Sequence, residues 1–122
     1  MQKTLLTGRK KTVGYCKGGS GVTLDNLEYA IGHWAEDRNL IDGSTSQAQC
    51  VKLGEEFGEL CGGIAKGKQD VVVDSIGDMV VVLIILALQN GVTFEECVQS
   101  AYNEIKDRKG RMVDGIFRKG EV

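Results

Sequence analysis

The sequence predicts an all-α domain of four helices, preceded by a basic N-terminal arm. Its 122 residues suit a single domain, and 42% hydrophobic with 26% charged residues is the composition of an ordinary folded protein. The chain contains no proline, which favours helices joined by glycine-containing loops over a many-turned β-sandwich. Apolar residues recur at helical spacing after residue 23. We therefore divide the chain into an arm, residues 1–22, and a helical domain, residues 23–122.

Capping residues and glycines mark the arm and the first two helices. The arm holds five glycines and shows no sustained period, so we expect it to be flexible, with a short hairpin around Thr7-Gly8-Arg9. Thr23 is the predicted N-cap of helix one, which runs to about Arg38. A loop over residues 39–46 follows, and Ser46 can cap helix two, which ends near Gly67. The predicted buried stripes are Leu24, Leu27, Ile31 and Trp34 in helix one and Leu53, Phe57, Leu60 and Ile64 in helix two.

The third segment, residues 70–90, is the most ambiguous. Its β-branched runs, residues 71–73 and 80–85, have the propensity of buried strands. However, about nineteen residues pass without a turn signal, which is too long for an ordinary strand, and apolar character on all sides after Asp78 suits a central helix. The run Met79 to Leu88 is about half of the roughly 20 residues needed to cross a bilayer, so we interpret it as core and expect no membrane association. Such a helix needs cover on every side, which predicts a homodimer or homotetramer.

Helix four is predicted to begin after the cap Thr93 and to continue until Gly110. Its predicted buried stripe consists of Phe94, Cys97, Val98, Ala101 and Ile105.

Charge and cysteine usage exclude several classes of protein. The net charge of -2 argues against nucleic-acid binding. It divides into +5 over residues 1–24, -10 over residues 25–104 and +3 over residues 105–122. Four cysteines without a C-x-x-C pair, and one histidine, make a zinc site unfavourable and predict reduced thiols in a cytoplasmic protein.

Carboxylates cluster in the acidic block. Glu55, Glu56 and Glu59 share a face of helix two opposite its apolar stripe. A solvated surface is the ordinary interpretation, but Glu55 and Glu59 form a destabilising like-charge pair. The adjacent Gly54, Gly58, Gly62 and Gly63 are poor helix formers that permit close approach of a helix or ligand.

Helix three adds Asp74 and Asp78, one turn apart. Asp78 borders the apolar run, where a carboxylate needs either a salt bridge or a bound cation. If helices two and three pack antiparallel, five carboxylates converge. All-oxygen ligands suit Mg²⁺, with Mn²⁺ as an alternative. Basic residues after Tyr102 and Asn103 are interpreted either as a solvated helix end or as a phosphate clamp; they are Lys106, Arg108, Lys109 and Arg111.

Residues 24–112 resemble the MazG-like family of all-α nucleoside triphosphate pyrophosphohydrolases. The segment from Lys52 to Leu60 is similar to the family's E-E-x-x-E helix with its K-L lead-in. Residues 74–78 are similar to its E-x-x-D helix, and residues 103–106 are similar to its N-x-x-K segment. The resemblance implies a four-helix-type bundle, completed by homo-oligomerisation. It also implies Mg²⁺-dependent hydrolysis at the α-β phosphoanhydride bond, giving a nucleoside monophosphate and pyrophosphate in nucleotide-pool sanitation or control.

The resemblance also implies roles for individual residues. Metal ligands would be Glu56, Glu59 and Asp78, with Glu55 and Glu56 as catalytic carboxylates. Ser75 occupies the family's glutamate position in E-x-x-D, so we expect Asp74 to replace that ligand. Expected phosphate contacts are Lys52, Asn103, Lys106, Arg108 and Arg111, and expected nucleoside contacts are His33, Trp34 and Asn39, with core packing as the alternative for Trp34.

Two other functions are compatible with the pattern. One is phosphoribosyl-ATP pyrophosphohydrolase, from the same helical superfamily. The other is a noncatalytic helical oligomer that binds a partner, since Ser75 departs from the family pattern.

Overall fold

The computed structural model describes residues 22–120 and contains four helices followed by a β-hairpin. The helices are α1, Leu24–Asp37; α2, Ser46–Lys66; α3, Gln69–Gln89; and α4, Phe94–Ile105, and the strands are β1, Gly110–Val113, and β2, Ile116–Lys119. The predicted helical fold class is confirmed, including the helix in the valine-rich third segment. The predicted arm and its hairpin around Thr7-Gly8-Arg9 lie outside the described residues, apart from Val22.

Threonine side chains cap three of the helices. Thr23 accepts a hydrogen bond from the Asn26 amide at 3.1 Å, and Thr93 forms a capping box with Glu96. The predicted cap of α2 is wrong by one residue, because Thr45 accepts from the Ala48 amide at 3.0 Å. Ser46 is already helical, and its hydroxyl donates to Gln89 at 3.4 Å. Neighbouring threonine and serine are both good caps, so local sequence does not distinguish them.

Helices α2 and α3 form an antiparallel pair around a short turn. Gly67 ends α2 in the left-handed region, with φ of 67°. Gly63 lies directly against the side chains of Val71 and Val72, where an added Cβ would be 2.9 Å from Val71 Cγ1. The regular rise of the two helices then places Glu59 level with Ser75 and Glu56 level with Asp78. This pairing determines which carboxylates meet.

The close contact at Gly63 predicts opposite effects of alanine at two glycines of α2. In Gly63→Ala, overpacking against the stiff valines costs about 1–3 kcal/mol, which exceeds the roughly 1 kcal/mol gained in helix propensity. At Gly58 an added Cβ would have no other atom within 4 Å, so Gly58→Ala should stabilise the helix by about 0.5–1 kcal/mol. Urea denaturation of both variants measures the difference. Equal shifts in the midpoint would contradict the packing at Gly63, and a loss at Gly58 would indicate a second chain against that face.

The core lies between the C-terminal half of α3, the end of α1 and the following loop. Its buried cluster is Ala35, Ile41, Ile84, Ile85 and Leu88. β-Branched residues form a helix here because burial outweighs their modest preference for strands. The whole of α3 is longer than its ten-residue apolar run, and by length and composition alone it could also cross a membrane. Of the most apolar stretch of this helix, 33% is buried within the fold. A core helix meets the same test, so this property assigns no membrane span.

The apolar stripes are more exposed than predicted. Phe57 and Ile64 of α2 are 54% and 63% exposed, whereas Glu56 on the supposedly solvated face is 6% exposed. The face of α2 that packs against α3 therefore contains Glu56 and differs from the predicted apolar stripe. Leu24 and Trp34 of α1 are also exposed, and α4 has no buried residue. The predicted burial of these positions is wrong for the described single chain, while homo-oligomerisation stays a prediction.

The chain after α4 departs from the predicted helix. α4 ends at Ile105, and the hairpin pairs Val113 with Ile116 around a turn at Asp114 and Gly115. Both turn residues have positive φ, 53° and 80°, as a two-residue type I′ turn requires. An Asp-Gly pair between apolar residues is a strong hairpin signal that the helical interpretation missed. Among the basic residues, Lys106 is the C-cap of α4. Arg108 and Lys109 follow the helix, and Arg111 lies on β1.

Candidate metal centre

Three carboxylates from α2 and α3 meet at one point. Glu56, Glu59 and Asp78 each offer an oxygen atom, and these atoms lie within 4.8 Å of one another. Glu56 and Glu59 are three residues apart on α2 and therefore share a face, and Asp78 lies level with Glu56 across the helix pair. The structure thus brings together three of the five carboxylates that were predicted to converge.

Glu56 is the buried member of this group. Its Oε2 atom lies 3.2 Å from Nζ of Lys52, but its Oε1 atom is buried and has no hydrogen-bond partner among the described residues. A buried carboxylate oxygen without a partner is costly, and a hard cation would satisfy it. This atom, together with an all-carboxylate donor set, fits a Mg²⁺ or Mn²⁺ ion.

Lys52 contacts the carboxylates directly. Its ammonium lies 3.2 Å from Glu56 and 3.8 Å from Glu55. The hydrogen bond to Glu56, followed by the negative charges of Glu56 and Glu55, raises the pKa of Lys52. The predicted phosphate-binding lysine is therefore placed where it partly neutralises and orients Glu56.

Asp78 holds its proton more tightly than an isolated aspartate. Desolvation is the largest cause of its raised pKa, and the nearby charges of Glu56 and Asp74 add to it. A cation bound among these groups would act in the opposite direction by stabilising the ionised carboxylate. Proton and cation therefore compete at Asp78.

Asp74 is the one predicted metal ligand that is missing from the group. Asp74 is exposed and outside the three-carboxylate group, although it is close enough to affect the pKa of Asp78. Ser75 is 1% exposed and faces the helix contact. The buried position thus carries a hydroxyl, and replacement of a ligand by Asp74 stays a prediction.

The predicted phosphate-binding residues other than Lys52 lie apart from this group. Asn103, Lys106, Arg108 and Arg111 are all exposed. Within residues 22–120 the only ion pairs to the carboxylates of the group come from Lys52, and Asn103 accepts a hydrogen bond from Gln99 at 3.0 Å. In the described chain these side chains are therefore exposed and form no ion pair with the three carboxylates.

The predicted nucleoside-binding residues lie at the end of α1 and in the next loop. The ring of His33 packs edge-on against Tyr29, with centroids 4.5 Å apart, and its Nε2 atom is buried without a hydrogen-bond partner in the described chain. Trp34 is 42% exposed with the Arg38 guanidinium 4.8 Å above its ring, so core packing of Trp34 is wrong. Asn39 is exposed, with φ of 60°.

A second acidic group was not predicted. Asp25, Glu28 and Glu95 also place carboxylate oxygens within 4.8 Å of one another. Glu28 is 8% exposed and accepts a hydrogen bond from the Glu95 amide at 3.1 Å, which satisfies a donor at the start of α4. Glu28 and Glu95 are separated by 67 positions, so no local spacing could have indicated their contact.

Comparison with known proteins identifies the family. Residues 44–113 match the MazG nucleotide pyrophosphohydrolase domain, which is more than half of the chain. The chain belongs to the MazG family. The match begins before α2 and ends with β1, so this MazG domain includes all three clustered carboxylates, whereas α1 lies outside the matched region.

One relative of the MazG domain comes from a bacteriophage. An uncharacterized 18.2 kDa protein in the rep-hol intergenic region of Haemophilus phage HP1 (strain HP1c1) is 61% identical over 67 residues. The matched region is 55% of this chain and 41% of the relative, so the chain spans less than half of that protein. No solved structure matches the chain.

Proposed function

We propose that this MazG domain hydrolyses nucleoside triphosphates, deoxynucleotides among them, at the α-β phosphoanhydride bond in a Mg²⁺-dependent reaction. The products are a nucleoside monophosphate and pyrophosphate. The observation that carries the proposal is the group of Glu56, Glu59 and Asp78 around the unpartnered Oε1 atom of Glu56. Membership of the MazG family supports a nucleotide substrate.

The three carboxylates would hold the divalent ion, with Asp74 as an additional ligand or a charge beside it. A triphosphate carries about four negative charges, so it approaches such a group only when cations neutralise both sides. A Mg²⁺ ion held by these residues would supply that neutralisation and would make water more acidic.

The remaining residues act on water and phosphate. The exposed carboxylate of Glu55 accepts a proton as water adds across the anhydride, while Lys52 holds Glu56 in position. The bond between the α-phosphate and the pyrophosphate breaks, and the negative charge left on pyrophosphate is stabilised by Lys106 with Arg108 or Arg111, aided by Asn103. His33, Trp34 and Asn39 contact the nucleoside.

Assembly and location complete the proposal. Exposed apolar side chains such as Phe57, Ile64 and Val98 support a homodimer or homotetramer, because apolar surface of this extent favours association. We further propose that the enzyme acts in the cytoplasm in nucleotide-pool sanitation or control, without binding nucleic acid or membranes.

A product assay tests the reaction. The chain is incubated with Mg²⁺ and each ribo- and deoxynucleoside triphosphate, and ³¹P NMR distinguishes pyrophosphate from orthophosphate. We expect pyrophosphate and a monophosphate from at least one substrate, and complete loss of turnover with EDTA. Orthophosphate with a diphosphate would contradict cleavage at the α-β bond. Turnover of phosphoribosyl-ATP alone would favour that substrate, and the absence of a saturable Mg²⁺ site in calorimetry would favour the noncatalytic oligomer.

A further inference from the structure

The β-hairpin places two arginines directly opposite each other. Arg111 on β1 pairs with Arg118 on β2 in the antiparallel register. The Gly120 amide donates to the Lys109 carbonyl one ladder step further on, at 2.9 Å, so the Arg111 and Arg118 pair is of the hydrogen-bonded kind, with Cα atoms about 5.5 Å apart. Opposed residues project to the same face of a sheet, and the two guanidinium groups therefore share one face of the hairpin.

The register that opposes these arginines is fixed on both sides of the pair. The turn at residues 114–115 has the positive φ values that a type I′ turn requires. On the other face of the hairpin the Phe117 ring lies over Gly110, where an added Cβ would be 2.5 Å from Phe117 Cζ. A shift of register by one residue would break both features. The opposition of Arg111 and Arg118 is therefore built into the hairpin.

The face that carries the two arginines is positively charged. Lys109 lies two positions before Arg111 in the same ladder, so alternation places a third cation on this face. The one acid within residues 109–120, Asp114, lies in the turn. Among residues 22–120 none of the three cations forms an ion pair, and all three are exposed. Like charges directly opposite each other destabilise a ladder, and an anion between the guanidinium groups would remove that cost.

The hairpin follows α4 at the level of the three-carboxylate group. Helices α3 and α4 are joined by a short turn and line one cleft, in which Leu83 of α3 and Ala101 of α4 take part. Asp78 lies five positions before Leu83, and Lys106 lies five positions after Ala101. Both are thus about 7–8 Å further from the turn between the helices. The basic segment therefore starts level with Asp78.

We propose that Arg111 and Arg118 form a guanidinium clamp for the phosphate chain of a polyphosphate ligand, with Lys109 as a third cation. A guanidinium group binds phosphate oxygens through two parallel N–H bonds, and two opposed groups suit a ligand with negative charge on adjacent phosphates. Arg118 is a binding residue that spacing along the chain did not indicate. That the phosphate chain belongs to a nucleoside triphosphate rests on the function proposed above.

A nucleic acid suits this face less well. Proteins that bind single strands stack bases on aromatic side chains beside their cations, whereas Phe117 lies on the opposite face and covers Gly110. The net charge of -2 also disfavours a ligand with many phosphates. A short phosphate chain requires only the cations of the hairpin.

Metal-free binding to the full chain tests the clamp. Calorimetry in EDTA measures the Kd for inorganic tripolyphosphate in the wild-type chain, in Arg118→Gln and in the matched control Lys119→Gln. Lys119 is the neighbouring cation of β2, is exposed and projects from the opposite face. We expect Arg118→Gln to weaken binding by about ten-fold or more because a bidentate charge-assisted contact is lost.

Lys119→Gln should change the Kd by less than about two-fold, since its charge acts only through solvent. Arg118→Lys keeps the charge but loses the fork of donors, so its affinity should fall between those of the wild type and Arg118→Gln. Equal losses in Arg118→Gln and Lys119→Gln would overturn the proposal, as would a wild-type chain that does not bind tripolyphosphate.

Glu59→Gln separates the clamp from the proposed reaction. In EDTA this variant should bind tripolyphosphate as the wild type does, so a failure of turnover and a failure of the clamp are distinguishable. ATP is titrated into the same chains. A similar loss with ATP and tripolyphosphate in Arg118→Gln would support a clamp for the phosphate chain of a nucleotide, and a loss with tripolyphosphate alone would support a clamp for free polyphosphate. A single-stranded oligonucleotide that binds more tightly than tripolyphosphate, and loses affinity in Arg118→Gln, would overturn the proposal.

Discussion

Glu59→Gln is expected to abolish Mg²⁺-dependent turnover while leaving the fold intact. Glu59 is exposed, so loss of its charge removes little packing. Its oxygen is one of three that meet between α2 and α3, and an amide is a weaker ligand for a hard cation than a carboxylate. Loss of a group that only supports a metal ligand typically lowers metal affinity or activity by about 10–100-fold. We therefore expect loss of a direct ligand to reduce kcat/KM by more than about 100-fold. Steady-state kinetics over a range of Mg²⁺ concentrations measures the effect.

Glu104→Gln provides the matched control for this variant. Glu104 is an exposed glutamate of α4 outside both acidic groups, and its substitution should leave turnover and Mg²⁺ dependence near those of the wild type. Circular dichroism and urea denaturation check the fold of both variants. Near-normal activity of Glu59→Gln would remove Glu59 from the metal site.

Ile84→Ala is expected to reduce the free energy of unfolding by about 2–5 kcal/mol. Ile84 is 2% exposed and packs in the buried cluster with Ala35, Ile85 and Leu88. The substitution leaves a cavity between α3 and α1 and removes apolar surface from the densest part of the fold. A total stability of about 5–15 kcal/mol makes this loss severe for a domain of this size. Urea denaturation at constant protein concentration measures it.

Val73→Ala is the corresponding control in the same helix. Val73 is 58% exposed, and alanine has the higher helix propensity, so stability should change by no more than about 0.5 kcal/mol. Similar losses in both variants would contradict the location of the core. A large loss at Val73 that depends on protein concentration would place that part of α3 in an oligomer interface.

Local signals predicted most of the helices but not every boundary. Thr23 and Thr93 bind amides three residues ahead, and Gly67 adopts positive φ, so the sequence nearby is sufficient to place these ends. Thr45 and Ser46 compete as caps over one position, and only the backbone of the loop selects Thr45. The hairpin after α4 was also encoded locally, by Asp114 and Gly115, but no element was predicted beyond Gly110.

The candidate site was predicted less completely than the fold. The spacing of Glu56 and Glu59 placed them on one face, and the order of α2 and α3 brought Asp78 to them. The basic residues beyond α4 were predicted to join them, yet the described chain shows no contact between the two sets. The spacing of residues within one chain does not determine a contact between two such distant sets.

By itself, the sequence determined the helical fold class, the family and the carboxylates available for a metal, because periodicity, caps and motifs depend on residues a few positions apart. Only the tertiary structure decided which side of α2 is buried. The close approach of Gly63 to Val71 rotates Glu56 inward and leaves Phe57 exposed. Likewise, only the packing of both α1 and α4 against α3 brought Glu28 to the amide of Glu95. These contacts join residues distant in sequence, and their geometry depends on how whole helices pack.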